Sequence, residues 1–357
     1  RSTTLGRLFC VCSTIEAACA YIYSAPAIRT FGPPVRQLGH RPLELVHSIH
    51  TRTLKHTHRE IGPVAMQNLG NSLQGGALDA VEGGDVEKVA IFDATGTLMF
   101  LQEPPGDTYY RFAVRHGLSV PAPGQLNARF RDMIDRTTPI DYSDCPLAST
   151  ADIYQREKNW WRNVVAFVFG PEAAAADAFT ACFHDVYEHF GSGHAWSLYP
   201  DAFPLLHQLR AEGWNLGVLS NFDSRLIGVL SDLNLTKEFD WILLPKDTGA
   251  LKPDAAAFAA ALKVSGCTDT ATCVHVGDSL NADINGAVNA GIYGIFVDRQ
   301  SKWPPLFPAP ELALMVRTLA QVDEVAKNAP IRRLVQNTHM NVNTHAKDSH
   351  TSNVRGR

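Results

Sequence analysis

Several residues that could do chemistry stand where predicted strands end. Asp93 follows an apolar, β-rich run, and Asp278 follows another. Ser220 ends a third such run, and Lys252 lies in a loop before a predicted helix. Because the carboxyl ends of parallel strands meet at one edge of a sheet, we expect these side chains to converge.

These residue types suit the handling of a phosphoryl group. A carboxylate nucleophile such as Asp93 must approach a dianion, so the negative charges have to be neutralised. A hard cation such as Mg²⁺, held by Asp93 and Asp278, supplies part of that neutralisation. Lys252 would add a point charge, and Ser220 would donate a hydrogen bond to a phosphoryl oxygen. The set predicts a Mg²⁺ site that acts on a small phosphorylated metabolite.

Two neighbouring residues extend the set. Asn221 follows Ser220 and joins it as a predicted phosphate-binding residue. Asp283 follows Asp278 by five residues, and two roles stay open for it: completing the shell of the metal, or holding Lys252 in place. Each residue alone has an ordinary alternative, such as capping a helix or forming a turn. Their joint occurrence at strand ends favours a common site.

The hydrophobic pattern predicts the elements that must position these residues. Helices and strands alternate after Asp201, which predicts right-handed crossovers and a doubly wound parallel sheet of the α/β class. Strands are predicted from 88 and at 215–219, 241–244, 273–276 and 293–297, with helices around 203–209 and at 225–233, 254–264 and 282–290. The segment 319–325 is predicted to close the domain.

An all-helical insert is predicted between the first two of these strands. Thr150 to Phe169 is periodic, and Pro171 opens a run whose aromatic and apolar residues share one helical face. Asp107 is predicted to cap a helix over Thr108 to His116, with Gly117 at its end. We interpret the aromatic stripe as packing core rather than a ligand box.

Four short segments resemble motifs one to four of the haloacid dehalogenase-like (HAD) hydrolase superfamily. They are Asp-Ala-Thr-Gly-Thr-Leu from Asp93, Leu-Ser-Asn to Asn221, Leu-Lys-Pro-Asp around Lys252, and Gly-Asp-Ser ahead of Asp283. The helical insert resembles the C1-type cap of subfamily IA. The first motif and the segment Asn159 to Trp161 are most similar to the REG-2-like branch. The resemblance covers about residues 88–325.

This resemblance implies a Rossmann-like core, a helical cap and a role for each matching residue. It implies that Asp93 is the nucleophile and forms an aspartyl-phosphate. Ser220 and Lys252 would bind the phosphate. The Mg²⁺ ligands would be Asp93, the carbonyl of Thr95, and Asp278.

Thr95 departs from the pattern of the HAD phosphatases. Those enzymes usually have a second Asp here, which serves as acid toward the leaving group and then as base toward water. A threonine hydroxyl does not exchange its proton near neutral pH, and such help is typically worth about 10²–10⁴-fold. Three interpretations stay open: a weak or selective hydrolase acting on good leaving groups, a HAD-fold protein that binds without turnover, and a 2-haloacid dehalogenase. Gly277-Asp278 disfavours the last.

The composition indicates a globular chain and excludes some partners. The 357 residues are 45% hydrophobic, which is enough for a substantial core. A net charge of −4 gives no electrostatic case for nucleic acid, and no apolar run has the length of a membrane span. Seven scattered cysteines without a Cys-x-x-Cys pair indicate neither a disulfide framework nor a zinc site. The oligomeric state stays open.

We expect a core domain from 86–98 and 199–328, a helical cap at 99–198, and disordered flanks at 1–85 and 329–357. Up to Met66 the leader has eight Arg or Lys and only three acids. A transit peptide for chloroplast or mitochondrion is one interpretation, and a weak signal sequence is another. Initiation at Met66, which would favour cytoplasm or nucleus, is the third.

Overall fold

The structure is a computed structural model that describes residues 88–145, 148–301, 303 and 312–328. The predictions for the leader at 1–85 and for the tail at 329–357 lie outside the described residues. The described part of the chain contains eight strands: β1 (Lys88–Phe92), β2 (Met99–Leu101), β3 (Trp196–Leu198), β4 (Trp214–Leu219), β5 (Trp241–Leu243), β6 (Cys273–Gly277), β7 (Tyr293–Val297) and β8 (Ala313–Val316).

Six of these strands form one parallel sheet in the order β5-β4-β1-β6-β7-β8. Strand β1 lies inside the sheet, where it pairs with β4 on one side and β6 on the other. The chain passes from one side of β1 to the other, and ligand-binding crevices form at the carboxyl edge of such switch points. The predicted fold class, a parallel sheet flanked by helices, is confirmed.

Strand β1 is apolar throughout because both of its faces are covered. Val89 and Ile91 pack on one side of the sheet, whereas Ala90 and Phe92 pack into the larger cluster on the other. All four side chains are buried. A strand of a parallel sheet covered by helices on both faces has this continuous apolar character.

The helices of the described residues fall into two groups, five in the insert and six around the sheet. A π-helical turn, Leu280–Asn285, follows β6. The helices are α1 (Pro105–Arg115), α2 (Pro123–Arg136), α3 (Thr150–Phe169), α4 (Pro171–Ala175), α5 (Phe179–Phe190), α6 (Ala202–Ala211), α7 (Leu226–Asp232), α8 (Pro245–Thr248), α9 (Ala255–Ser265), α10 (Gly286–Asn289) and α11 (Val322–Asn328). None of them is long and apolar enough to span a membrane.

The helical insert, α1 to α5, lies between β2 and β3, which pair antiparallel with each other. It has an apolar core of its own, to which Tyr109, Phe130, Val168 and Phe183 contribute. Helix α3 begins where the hydroxyl of Ser149 accepts a hydrogen bond from the backbone of the first turn, an ordinary N-terminal cap. The insert is therefore a packed helical layer rather than a long loop.

Three of the helices predicted from the sequence need correction. Helix α1 begins at Pro105, so Asp107 lies within its first turn and does not cap it. Proline fits this first position because no hydrogen bond is required of its nitrogen. The run from Pro171 is divided into α4 and α5, and the helix expected over 282–290 begins as a π-helix. Strands β2, β3 and β8 and helix α2 were not predicted.

Candidate active site at the carboxyl edge of the sheet

Asp93 lies directly after β1 at the carboxyl edge of the sheet. Its backbone N–H donates to the carbonyl of Val276 at 2.9 Å, which continues the pairing with β6 for one residue. Its carboxyl group is buried. The pairing of β1 with β6 therefore fixes the backbone at Asp93. It places the carboxylate of Asp93 beside the end of β6, just before Asp278.

Lys252 brings two of these carboxylates together. Its Nζ lies 2.8 Å from Oδ1 of Asp93 and 2.6 Å from Oδ1 of Asp283. The lysine is 1% exposed. Burial acts to lower its pKa, but the charges of Asp283 and Asp93 outweigh this and hold the pKa above its ordinary value. Lys252 is therefore a fixed positive charge in the site.

Asp283 uses both of its oxygens to hold this arrangement. Oδ1 accepts from Lys252 and from Nε2 of His275 at 2.9 Å, and Oδ2 accepts from the backbone N–H of Ser279 at 2.9 Å. Burial opposes ionisation, but Lys252 and His275 keep the pKa of Asp283 below its ordinary value. The sequence left two roles open for Asp283, and these contacts show the one in which it holds Lys252 in place.

His275 is a site residue that the sequence analysis did not identify. It is fully buried on β6, and its ring meets Phe258 at 5.3 Å edge to face. Burial lowers its pKa, so the ring is neutral and donates its Nε2 hydrogen to Asp283. Strand alternation places His275 on the face of the sheet opposite to Val274 and Val276, but it does not mark the residue as part of a site.

Asp278 is packed closely against the loop that follows Asp93. A Cβ atom at Gly96 would lie 2.0 Å from Oδ2 of Asp278, and Gly96 has a positive φ of 82°. Burial, with the charges of Asp93 and Asp283, raises the pKa of Asp278 well above its ordinary value. Among the described residues its buried Oδ1 has no hydrogen-bond partner.

The three carboxylates form a cluster that fits a divalent cation. Asp93, Asp278 and Asp283 each offer an oxygen, and these atoms lie within 4.8 Å of one another. Burial raises the pKa of Asp93 to about 6, with a further contribution from Asp283 and against the effect of Lys252. The single positive charge of Lys252 therefore does not balance the negative charge of the carboxylate cluster. Carboxylate oxygens are the ligands of a hard cation, and the open Oδ1 of Asp278 offers one.

The two residues after β4 occupy different positions in the site. Ser220 is buried, and its Oγ accepts a hydrogen bond from the backbone of Phe222 at 3.2 Å. The side chain of Asn221 accepts from the backbone N–H of Lys252 at 2.7 Å and donates to its carbonyl at 2.9 Å. Asn221 thus ties the lysine loop to the end of β4. A role of these residues in phosphate binding stays a prediction.

A cavity of about 180 Å³ connects this edge of the sheet with the helical insert. Asp93, Thr95, Ser220 and Asn221 line it at the sheet, while its other walls come mainly from aromatic and aliphatic side chains of the insert. Phe183, Val186, Tyr187 and Phe190 of the predicted aromatic stripe are among them. The stripe, interpreted from the sequence as packing core alone, therefore also forms a cavity wall.

An ion pair that the sequence analysis missed stands at the wall of this cavity. Arg225 donates to both oxygens of Asp223, at 2.9 and 2.6 Å, and the indole of Trp161 donates to the same carboxylate at 2.5 Å. Burial opposes ionisation of Asp223, but Arg225 holds its pKa below the ordinary value. Helix α3 and the loop after β4 meet here, and no local sequence pattern signals such a contact.

Comparison with known proteins agrees with this architecture. A family model described as haloacid dehalogenase-like hydrolase matches residues 87–291. Haloacid dehalogenase-like hydrolase domain-containing protein 3 of Mus musculus is 30% identical over 211 residues, which cover 59% of this chain and 81% of that protein. The Rhythmically expressed gene 2 protein of Drosophila melanogaster is 25% identical over 222 residues, covering 60% and 84% of the two chains.

A solved structure shows the same fold at low sequence identity. L-2-haloacid dehalogenase from Xanthobacter autotrophicus with chloropropionic acid covalently bound superimposes with a TM-score of 0.50 at 18% identity, covering 68% of this chain and 99% of that one. At this identity the likeness concerns the fold alone. The matched family model spans more than half of the chain and includes four of the six strands of the parallel sheet, the insert and all four motifs. The chain belongs to the haloacid dehalogenase-like hydrolase family.

Proposed function

We propose that this HAD-like hydrolase removes phosphate from a small phosphorylated substrate through an aspartyl-phosphate on Asp93. The observation that carries the proposal is the buried contact of Lys252 with Asp93 and Asp283 at 2.8 and 2.6 Å. A fixed cation beside a carboxylate nucleophile reduces the repulsion that a phosphate dianion would meet. We infer that Lys252 has this function.

The chemistry would proceed in two displacements at phosphorus. An oxygen of Asp93 attacks, a P–O bond to Asp93 forms, and the P–O bond to the leaving group breaks with its electron pair on the departing oxygen. Water then attacks the same phosphorus, the bond to Asp93 breaks with its electron pair on the carboxylate, and inorganic phosphate leaves with both protons of the water. Ser220 would donate a hydrogen bond to a phosphoryl oxygen in both steps, and Asn221 would hold the backbone of Lys252.

A Mg²⁺ ion would be held by Asp93, Asp278 and the carbonyl of Thr95, with Asp283 close by. When bound, it would supply positive charge to the phosphoryl oxygens and to the crowded carboxylates. Burial and the crowding of the carboxylates also raise the pKa values of Asp93 and Asp278. Of the residues that the structure describes, these form the acidic cluster able to hold a metal.

Thr95 would make this activity selective for substrates whose leaving group needs no proton. Its hydroxyl is buried and has no hydrogen-bond partner within the described residues. It therefore has no side chain with which to exchange a proton. Acyl phosphates and aryl phosphates expel comparatively stable anions. The helical insert would act as the cap over this site and exclude water from it.

A protein that binds a phosphorylated ligand without turnover is the second candidate. The unpartnered hydroxyl of Thr95 favours it, because the usual acid is missing while Lys252 and the acidic cluster remain. A 2-haloacid dehalogenase is less well supported, because those enzymes do not use a metal motif such as Gly277-Asp278.

Turnover of acetyl phosphate and p-nitrophenyl phosphate with Mg²⁺ tests the proposal. We expect release of phosphate by the purified protein and none above background by an Asp93→Asn variant. Chelation of divalent cations with EDTA should abolish the activity, and added Mg²⁺ should restore it. Equal rates for the protein and the Asp93→Asn variant would overturn the proposal. The second candidate, a protein that binds a phosphorylated ligand without turnover, would then be favoured.

A further inference from the structure

The cavity beside Asp93 has a polar end and an apolar body. Asp93 and Ser220 lie at the end where the phosphoryl group would be bound. Away from them the walls are predominantly aromatic and aliphatic. Among the aromatic wall residues are Tyr109, Phe130, Trp161, Phe183, Tyr187 and Phe222. A group attached to the phosphate would therefore leave water for a largely apolar surface, which favours an apolar group.

The charges in the body of the cavity are already paired. Asp223 and Arg225 are the charged wall residues beyond Asp93, and their side chains bind each other with two hydrogen bonds. The Arg225 guanidinium also donates to the carbonyl of Tyr187 at 3.0 Å and lies 3.9 Å from the centre of its ring. A second phosphate or carboxylate on the substrate would find no free cation among the described wall residues, so its burial would be costly.

The enclosed volume of the cavity suits a small occupant, and the cavity is also open toward solvent. A closed apolar cavity of about 150 Å³ is known to hold benzene. The cavity here measures about 180 Å³ and also includes the space beside Asp93. Aromatic walls pack well against a ring in edge-to-face geometry, as Tyr109 does with Phe130, Phe169 and Phe190 in this structure. A single ring would therefore fill the enclosed part of the cavity.

We propose, building on the phosphoryl-transfer function above, that the substrate carries its phosphate on one uncharged aromatic ring, as an aryl phosphate or an aroyl phosphate. Thr95 points to the same class independently of the walls. A phenolate or a carboxylate leaves with the electron pair of the broken P–O bond and needs no proton, whereas an alkoxide does. The cavity selects the ring, and the absence of an acid selects the leaving group.

The first test compares benzoyl phosphate with acetyl phosphate. Both release a carboxylate of similar basicity, so the difference between them is the ring. We expect kcat/KM to be at least ~10-fold higher for benzoyl phosphate, because the ring would be buried against the apolar walls. Equal values would overturn this inference while leaving the proposed hydrolase in place.

A second test fills the cavity. Val165 on α3 is a buried wall residue, so Val165→Phe should reduce the ratio of benzoyl to acetyl phosphate kcat/KM by ~10-fold or more. Val114→Phe is the matched control, because Val114 is 55% exposed on α1 and does not line the cavity. We expect the control to keep the wild-type ratio. A ratio unchanged by both substitutions would contradict the proposed location of the ring.

Binding of non-hydrolysable phosphonates separates this inference from the proposed chemistry. Trp160 and Trp161 line the cavity, so their fluorescence should report on ligand binding. We expect phenylphosphonate to bind at least ~10-fold more tightly than methylphosphonate in the presence of Mg²⁺. This preference together with no turnover of either acyl phosphate would sustain the ring pocket and reject the hydrolase. Equal affinities would reject the ring pocket.

Discussion

Nζ of Lys252 lies 2.8 Å from Oδ1 of Asp93, although the two residues are 159 positions apart in the chain. The same nitrogen contacts Asp283, so one buried cation serves two carboxylates. Asn221 fixes the backbone of this lysine through two hydrogen bonds. The residues after β4 and β6 therefore hold Lys252 at both its backbone and its ammonium group. Its positive charge has a fixed position in the site.

Removing this cation should destabilise the protein as well as inactivate it. Lys252→Met would leave three clustered carboxylates, two buried and one half-buried, facing one another, and breaking a buried ion pair typically costs about 3–5 kcal/mol. We expect a decrease of that size in the free energy of unfolding, measured by urea denaturation in the presence of EDTA. Phosphate release should fall to the background of the Asp93→Asn variant.

Lys246→Met provides the matched control for this substitution. Lys246 pairs with Asp247 at 2.6 Å, but both side chains are partly exposed. Such surface pairs contribute about 0–1 kcal/mol. A loss at Lys252 no larger than the loss at Lys246 would show that the buried cation is not needed to balance the acidic cluster.

Gly96 is predicted to tolerate no side chain. A Cβ atom there would lie 2.0 Å from Oδ2 of Asp278, and the φ of 82° is itself unfavourable for other residues. We expect Gly96→Ala to lower the free energy of unfolding by at least about 2 kcal/mol, because strain and overpacking add together. Mg²⁺ binding, measured calorimetrically, should weaken as well, since Asp278 must move.

Comparison with Gly117→Ala separates the effect of backbone strain from the effect of overpacking. Gly117 has a similar φ of 69°, but a Cβ atom there would have no neighbour within 4 Å. We expect it to cost only the backbone strain, about 1–2 kcal/mol, with Mg²⁺ binding unaffected. Equal losses of stability and equal Mg²⁺ affinities in the two variants would contradict the close approach of Asp278 to Gly96.

The fold and the strand ends of the site could be predicted because their signals are local. Apolar runs end at Asp93 and Ser220, and a strand of five residues was predicted correctly at Tyr293–Val297. Each of these features needs only a few neighbouring residues to be recognised. The parallel sheet then follows from the spacing of strands and helices.

The partners of His275 and Asp223 could not be predicted in the same way. His275 resembles any polar residue on a strand until the turn after β6 brings Asp283 back to it at 2.9 Å. Asp223 contacts Trp161, which is 62 residues away in the helical insert. The relative placement of the insert and the sheet decides this contact, and no periodicity in the sequence encodes it.

Restoring the missing acid should change the range of substrates. Thr95→Asp places a carboxyl group where the HAD phosphatases usually have one, and general acid catalysis is worth about 10²–10⁴-fold. We expect kcat for an alkyl phosphate such as ethyl phosphate to rise at least tenfold, and turnover of acyl phosphates to change much less. Steady-state phosphate release measures both.

Thr95→Asn is the control for size and polarity, because its amide has the shape of the aspartate without a titrating proton. It should leave turnover of alkyl phosphates at the wild-type level. If Thr95→Asn raised the rate as much as Thr95→Asp, the gain would come from packing in the cavity and not from proton transfer.

Glu157 should make the stability of the protein depend on pH. It is fully buried on α3, and its Oε1 accepts from the hydroxyl of Tyr142 at 3.1 Å and from the N–H and hydroxyl of Ser224 at 3.2 and 3.0 Å. Burial, with the nearby charge of Asp223, raises its pKa above the ordinary value of 4.5. The folded protein therefore holds this proton more strongly than the unfolded chain does.

The sign of the effect follows from that difference. The stabilisation is complete below pH 4.5 and is lost as the pH rises through the higher pKa of the folded state. Glu157→Gln keeps the Oε1 atom that all three donors reach, but it carries no charge at any pH. In urea denaturation, the stability of the variant relative to wild type should thus increase from pH 4.5 upward, with exposed Glu172→Gln as the control for losing a glutamate. A difference between variant and wild type that stays constant with pH would mean that Glu157 titrates alike in the folded and unfolded chains, so that its bonds to Tyr142 and Ser224 offset the whole cost of burying the charge.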